Sequence, residues 1–507
     1  MPPAPRFPLL YQINTRVLIG EARAAGTLDD LPDALLDQAA ARGFGWIWAL
    51  GVWQTGAAGQ RIARLPAALA GYRADLPDFR DADITGSPFA ITGYDVHRDF
   101  GGEAALARLR ERLHRRGQNL LLDFIPNHVA LDHPWVESHP EYFIPGTEDD
   151  LRREPANYVA LTTSRGREIL AYGRDPHFTG WIDTLQLNYR HRGLREAMAA
   201  ELGRVADRCD GVRCDMAMLL NPEIIARTWG ERARPADGTA PVDRPFWPEA
   251  IAQVRRRDPS FLFIAEVYWD LDWALQQDGF DFTYDKRLYD RLRAGAARPV
   301  RAHLAAEPAF RDRSLHFLEN HDEPRAAAIF PPDRHRAAAV LTFLVPGLRF
   351  FHEGELEGRR AHAAIHLARR QAEPVDESLR AFYERLLACL RRPETHQGVW
   401  RLGACRAAWD GNPTWDNFIA FSWESSGSTG GGKLLAVVNY GETHSQCYAG
   451  VELSGLEAGP VILTDLLSDV RYTRDGRTLA SDGLYLDLPP FGHHVFTVRA
   501  DGDRGAG

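Results

Sequence analysis

The sequence predicts an α/β chain folded as a (β/α)8 TIM barrel, with an inserted subdomain after strand 3 and a C-terminal all-β sandwich domain. Three observations predict it. Short apolar runs alternate with amphipathic stretches at helical spacing, the arrangement of parallel strands joined by crossover helices. Eight such runs can be counted. Several of them end in charged residues, which a barrel collects at the C-terminal ends of its strands.

The first two strands are LLYQIN (9–14) and WIWAL (46–50). After them comes SPFAITGYDVHRDFGG, a loop rich in turn residues, and then Leu106, Leu109 and Leu113 at helical spacing with arginine and glutamate between them. That stripe is the core face of a helix. NLLLDFI (119–125) is the third strand, and the long connection after it reads as the inserted subdomain, because long loops in a compact fold usually carry function. Its acidic run Glu148, Asp149, Asp150 is expected to be a solvated loop. Leu194, Ala197, Met198 and Leu202 form the next helical core face, followed by GVRCD (211–215), FLFIAEV (261–267), FDFTYD (280–285), SLHFLEN (314–320) and LRFFHE (348–353). Beyond a helix around 376–392 the pattern changes to FIAFSWE, LLAVVNY and HHVFTV, separated by Gly, Ser and Asp clusters. The expected division is therefore residues 1–128 and 182–394 for the barrel, 129–181 for the insertion and 395–507 for the sandwich. SSGSTGGGK (425–433) reads as a flexible hairpin loop.

A chain of 507 residues has room for a large barrel and a smaller domain. With 45% hydrophobic and 25% charged residues it has the composition of a soluble globular protein, and no apolar run approaches the roughly 20 residues of a membrane helix. A net charge of −9, with arginines dispersed among acids, makes nucleic acid a poor partner. MPPAPRFPLLYQINTRV lacks the order of a secretory signal, so a cytoplasmic protein is expected. The five cysteines are odd in number and without CxxC spacing, which fits reduced thiols and gives a zinc site little support. Oligomeric state is not legible.

The charged tips suggest glycosidic-bond cleavage with retention. That chemistry needs a carboxylate to attack the anomeric carbon and a carboxylic acid about 5 Å away to protonate the leaving oxygen. Asp215 follows Arg213 by two residues, so both point the same way from the strand and the guanidinium holds the aspartate ionised. It is the expected nucleophile. Glu266 ends an apolar strand and precedes Val267, Tyr268 and Trp269, surroundings that keep a carboxyl protonated. It is the expected acid and base. Asp322, after Asn320 and His321, would hold sugar hydroxyls in the distorted ring. His128 is expected to bond a hydroxyl, and Asp123 to orient the arginine and nucleophile. Cys214 reads as a buried, unreactive neighbour.

DFIPNH, GVRCD, the glutamate of FIAEV, and ENHD resemble the four signature segments of the α-amylase family, glycoside hydrolase family thirteen, with the similarity covering about residues 8–390. The resemblance implies the same three carboxylates, Asp215, Glu266 and Asp322. It also implies a substrate-binding set of Tyr94, Asp123, His128, Arg213 and His321, with Tyr94 of GYDVHRDFGG as a stacking platform for the sugar. No cofactor is required under it. Many members hold a structural calcium through the asparagine of the first segment and an aspartate of the inserted subdomain, and only Asn127 matches here. QLNYR (186–190) is similar to a fifth segment that usually carries an aspartate where Gln186 or Leu187 stands. Met218 and Leu219 stand where the family often has a lysine–histidine pair, so the acceptor side must differ.

The expectation is a retaining hydrolase of α-linked gluco-oligosaccharides or polysaccharides. The alternative is a transglycosylase with a sugar or phosphate acceptor, because RRRDPSFLFIAEVYW with DGFDFTYDKRLYDRL resembles bacterial maltosyltransferases of the family. A catalytically inactive binding module is a third reading, which the intact carboxylates oppose. A single strand-end aspartate is commonly only a helix cap, so it is the ordered set that carries the argument.

Overall fold

The computed structural model describes residues 5–23, 26–425, 432–456 and 459–500. Residues 426–431, the centre of the stretch read as a hairpin loop, lie outside the described residues. Eight parallel strands close into a barrel in chain order: β1 (Leu9–Asn14), β2 (Trp46–Leu50), β3 (Asn119–Phe124), β4 (Gly211–Cys214), β5 (Leu262–Ala265), β6 (Phe282–Tyr284), β7 (Ser314–His316) and β8 (Leu348–His352). Each lies within its predicted run. The runs are apolar nearly throughout because both faces of a barrel strand are covered, one by the interior and one by helices. Leu106, Leu109 and Leu113 bury one side of the helix Gly102–His114, and Leu194, Met198 and Leu202 one side of Arg192–Ala206.

Not every charged strand end serves a cavity. Asp285, after β6, caps the helix Lys286–Ala294 by accepting from the Leu288 amide at 2.9 Å, and it pairs with His303 at 2.7 Å. Such a cap satisfies an amide that the first helical turn leaves open.

Three additions stand over the C-terminal end of the barrel or beside it. After β2, a short antiparallel pair, Trp53–Thr55 with Ile91–Val96, brackets the helices Ala57–Ile62 and Pro66–Asp75. After β3, His128–Ala130, Trp181–Gln186, Gly166–Gly173 and Tyr158–Thr163 form an antiparallel four-stranded sheet, so the last strand of the insertion runs to Gln186, past the expected boundary at 181, because it pairs with His128–Ala130. The acidic run in that insertion is a helix, Glu148–Arg153, and not a loop. Thr147 and Asp150 cap each other's amides at its start, and Asp149 pairs with Arg152 and Arg153, so early acids and late bases suit the helix dipole.

The C-terminal region has a six-stranded and a three-stranded antiparallel sheet. Alternation along its strands assigns each face. In Phe418–Glu424, Ile419, Phe421 and Trp423 pack with the barrel core, while Phe418 and Ala420 pack with Cys447, Leu463 and Leu486 between the two sheets. Leu434, Ala436 and Val438 repeat the barrel-facing set on the neighbouring strand, and Leu435 and Val437 the other. Trp423 also donates its ring N–H to the Leu344 carbonyl at 2.7 Å. This sheet is buried on both faces, and therefore reads as continuous apolar sequence. No helix among the described residues is long and apolar enough to cross a membrane.

Candidate active site

The ladders of β3, β4 and β5 set the site. Arg213 lies opposite Asp123 on β3 and Ile264 on β5. The pairing continues one residue past the strands, with the Asp215 amide donating to the Phe124 carbonyl at 2.8 Å and the Glu266 amide to the Cys214 carbonyl at 3.0 Å. Both acids therefore leave the sheet at the same height. The Arg213 guanidinium, 1% exposed, donates from Nη1 to Asp215 Oδ1 at 2.7 Å and meets Glu266 Oε2 from Nη2 at 2.7 Å. Two carboxyls on one planar fork lie within a few ångströms of each other. Trp48, Phe89 and Tyr284 pack around the buried guanidinium.

The two acids are treated differently by their surroundings. Asp215 Oδ2 is buried with no hydrogen-bond partner, a free acceptor at the floor of a cavity. Glu266 Oε2 also accepts from the Met216 amide at 2.7 Å, and Oε1 from the Tyr268 hydroxyl at 2.9 Å. Burial pushes the Glu266 carboxyl up to about 8 against the opposing pull of Arg213. A neutral acid beside Asp215 is thus built in. Met216 adopts φ 43°, a left-handed conformation costly for a side chain of its kind, and this bend aims its amide at Glu266.

Asp322 completes the group from the loop after β7. Solvent reaches 46% of its side chain through the cavity, while the walls around it still raise its carboxyl above the usual range. His321 is buried and held neutral, its proton affinity lowered by loss of water and by Arg213. The Gln12 side-chain amide donates to His321 Nδ1 at 2.9 Å, which leaves the proton on Nε2, a buried donor with no hydrogen-bond partner. His128 is oriented alike. Asn127 Nδ2 approaches its Nδ1 at 3.4 Å, and its Nε2 stands 3.9 Å from Asp215 Oδ2.

These groups line a cavity of ≈ 350 Å³ that also takes in Ser87, Phe89, Trp181, Asp183, Tyr268 and His366. The structure brings together Asp215, Glu266, Asp322, His128 and His321 on its wall. Three members of the expected substrate-binding set lie elsewhere. Arg213 and Asp123 sit beneath the floor, where Asp123 accepts from the Gly51 amide at 3.0 Å and stands 3.7 Å from Arg213. Gly51 needs to be bare: it has φ 74°, and a Cβ there would meet Pro88 at 2.6 Å. Burial raises Asp123 to about 6. Tyr94 is not a platform. It is 4% exposed, its ring packs on Phe124 and Trp53, and its hydroxyl bonds the Ile125 backbone.

The aromatic ring that does face the cavity from this loop is Phe89, stacked on His321 at 5.4 Å. Gln12, Ser87, Phe89, Asp183 and His366 were among the members the sequence reading missed. Gln12 had a signal, as a polar residue inside the buried strand LLYQIN, whose other polar end, Asn14, caps the helix that follows. Met218 and Leu219 are buried and take no part in the wall.

Asn127 does not fit a calcium ion. Its carbonyl oxygen already accepts from the Gln186 amide at 2.9 Å, and its own amide faces Gln186 Oε1 at 3.3 Å. A hard cation takes six or more oxygen ligands, usually with carboxylates among them, whereas this is a closed pair of neutral amides. No cluster of three or more metal-ligating side chains occurs among the described residues.

The family model described as "Alpha amylase, catalytic domain" matches residues 87–385. Alpha-amylase MalA of Haloarcula japonica is 27% identical over 283 residues, covering 53% of this chain and 36% of that protein. An alpha-1,4-glucan:maltose-1-phosphate maltosyltransferase of Pseudomonas aeruginosa is 26% identical over 274 residues, covering 52% of this chain and 33% of its own. The matched region is thus about a third of the length of these curated relatives. Among solved structures, a maltogenic alpha-amylase from Thermotoga neapolitana superposes with a TM-score of 0.68 at 17% identity, covering 97% of this chain and 98% of its own, a likeness of fold.

Proposed function

The chain belongs to the alpha-amylase family, and from that premise we propose that it is a retaining glycosidase acting on α-linked gluco-oligosaccharides or α-glucans. The observation that carries this reading is the single guanidinium of Arg213 joining Asp215 and Glu266 at the floor of a cavity that Asp322, His128 and His321 surround.

The chemistry follows from the two environments. Asp215, with Oδ2 free, attacks the anomeric carbon while Glu266 delivers its proton to the leaving oxygen. A covalent glycosyl-aspartate results. Glu266, now ionised and held by Arg213, Met216 and Tyr268, takes a proton from water, which displaces the aspartate and restores the acid. The Nε2–H groups of His128 and His321 donate to sugar hydroxyls, and Asp322 accepts from them as the ring flattens toward the oxocarbenium ion. Asp123 acts through Arg213, holding the guanidinium in register. Calcium has no part in this reading, nor has nucleic acid. The free cysteines Cys209, Cys214, Cys389, Cys405 and Cys447 support a reducing, cytoplasmic setting.

Transfer to an acceptor sugar or to phosphate is the second reading, supported by the maltosyltransferase similarity. Incubation with maltooligosaccharides, with and without maltose or phosphate, separates the two. Hydrolysis gives only shorter products in both tubes. Longer or phosphorylated products establish transfer, and no product in either tube leaves only an inactive binding module.

A further inference from the structure

The loops after β2 and β8 are tied into a single wall. The Thr85 amide donates to the His366 carbonyl at 2.8 Å, the Ala368 amide to the Asp83 carbonyl at 2.8 Å, and Ile84 pairs with Leu367 as an antiparallel bridge. Arg369 clamps Asp83 with two parallel bonds, Nε to Oδ1 and Nη2 to Oδ2, each 2.8 Å. Behind them Ala63, Tyr72, Leu76, Ile84, Ala364 and Leu367 form a separate apolar seal. His362 bonds both Asp75 and the His321 carbonyl, which fixes the wall to the catalytic loop. Its inner face, Ser87, Phe89, Ile365 and His366, lines the cavity.

The position of this wall around the barrel gives it meaning. In a ring of eight strands in chain order, β5 stands diametrically opposite β1, and the loops after β2 and β8 flank β1. Glu266, the acid, follows β5 and marks the side where the leaving group departs. In a pyranose C4 lies across the ring from C1, so a sugar with its anomeric carbon at Asp215 and its leaving oxygen at Glu266 turns its C4 end to the wall. There stands Asp183, lining the cavity, its charge acting on Tyr72, His128 and His366. Among the described residues no hydrogen bond or ion pair holds that carboxylate. A volume of ≈ 350 Å³ is near the small end of the roughly 300–1,000 Å³ of ligand pockets.

We propose that this wall ends the sugar site behind one glucosyl residue, so that the protein acts only at free non-reducing ends, one residue per event, with Asp183 and His366 receiving the terminal hydroxyls. The inference rests on the glycosidase reading, and one experiment separates their failures. A 4-nitrophenyl maltooligosaccharide is offered with its non-reducing end either free or blocked as a 4,6-ethylidene acetal, and first products are followed by chromatography. The free substrate should yield glucosyl units alone, and the blocked one should react at least a hundredfold more slowly. Internal cleavage of the blocked substrate at a comparable rate, or maltose as the first product, overturns the inference and leaves the glycosidase reading standing. No turnover of either overturns both. Arg369→Ala, which unclasps the wall, should raise the blocked-to-free rate ratio at least tenfold. Asp183→Asn should raise KM for the free substrate at least tenfold with little change in melting temperature, and an unchanged KM would remove Asp183 from the proposal.

Discussion

Arg213 and Glu266 are in contact at 2.7 Å, while the same guanidinium reaches Asp215 at 2.7 Å from its other nitrogen. One rigid fork therefore spaces the two carboxyls that we propose react, which a point charge cannot do. Arg213→Lys should lower kcat by about a hundredfold or more with a smaller change in KM, because the loss falls on transition-state geometry. Steady-state kinetics on a maltooligosaccharide check this, with circular dichroism confirming the fold.

The proposed division of labour between the acids predicts a dependence on the leaving group. Glu266→Gln cannot donate a proton, so an alkyl glucoside should lose about 10²–10⁴-fold in rate. A 2,4-dinitrophenyl glucoside, which departs without protonation, should still release a burst of phenolate. Asp215→Asn should give neither turnover nor burst. Stopped-flow absorbance reads all three.

Acid–base linkage gives a third outcome. Glu266 has its folded value raised to about 8 from an unfolded value of 4.5, so between those limits the folded state binds the proton that the unfolded state has released. Its favourable contribution is full below the lower limit and is lost as pH rises through the upper one. Asp123, raised to about 6, acts in the same direction. Glu266→Gln should therefore gain in melting temperature relative to the parent as pH goes from 5 to 9, read by calorimetry across that range. The same ionisation should make kcat/KM fall on the alkaline side, near pH 8.

The amide pair of Asn127 and Gln186 predicts indifference to chelators. Excess EDTA should leave both activity and melting temperature unchanged. Gln186→Leu leaves the Asn127 carbonyl buried without its 2.9 Å donor, a loss of about 1–3 kcal/mol that denaturant titration can detect.

The fold was legible because burial on both faces writes each barrel strand as an apolar run, and the charged residue at its tip marks where burial ends. Asp215 and Glu266 could be read this way, as each directly follows its strand. Asp322 is six residues past β7, and its neighbours His321 and Asn320 were the guide. Tyr94 shows what such reading cannot supply. A turn-rich motif locates a loop, but the direction of a ring depends on what packs behind it, here Phe124 and Trp53. Phe89, five residues earlier, took the place facing the cavity. Asp183 was invisible for another reason: it belongs to a strand of the insertion, WIDTLQ, whose relation to the mouth only tertiary packing defines.

The alternation in Phe418–Glu424, with Trp423 turned to the barrel and Phe418 turned away, makes the C-terminal region a keel and not a passenger. Cut away, it would leave Phe7 and Leu344 facing water along an oily seam, and the remaining barrel would clump before it could be assayed. Shortening this chain to its catalytic portion is therefore the wrong way to seek a smaller enzyme.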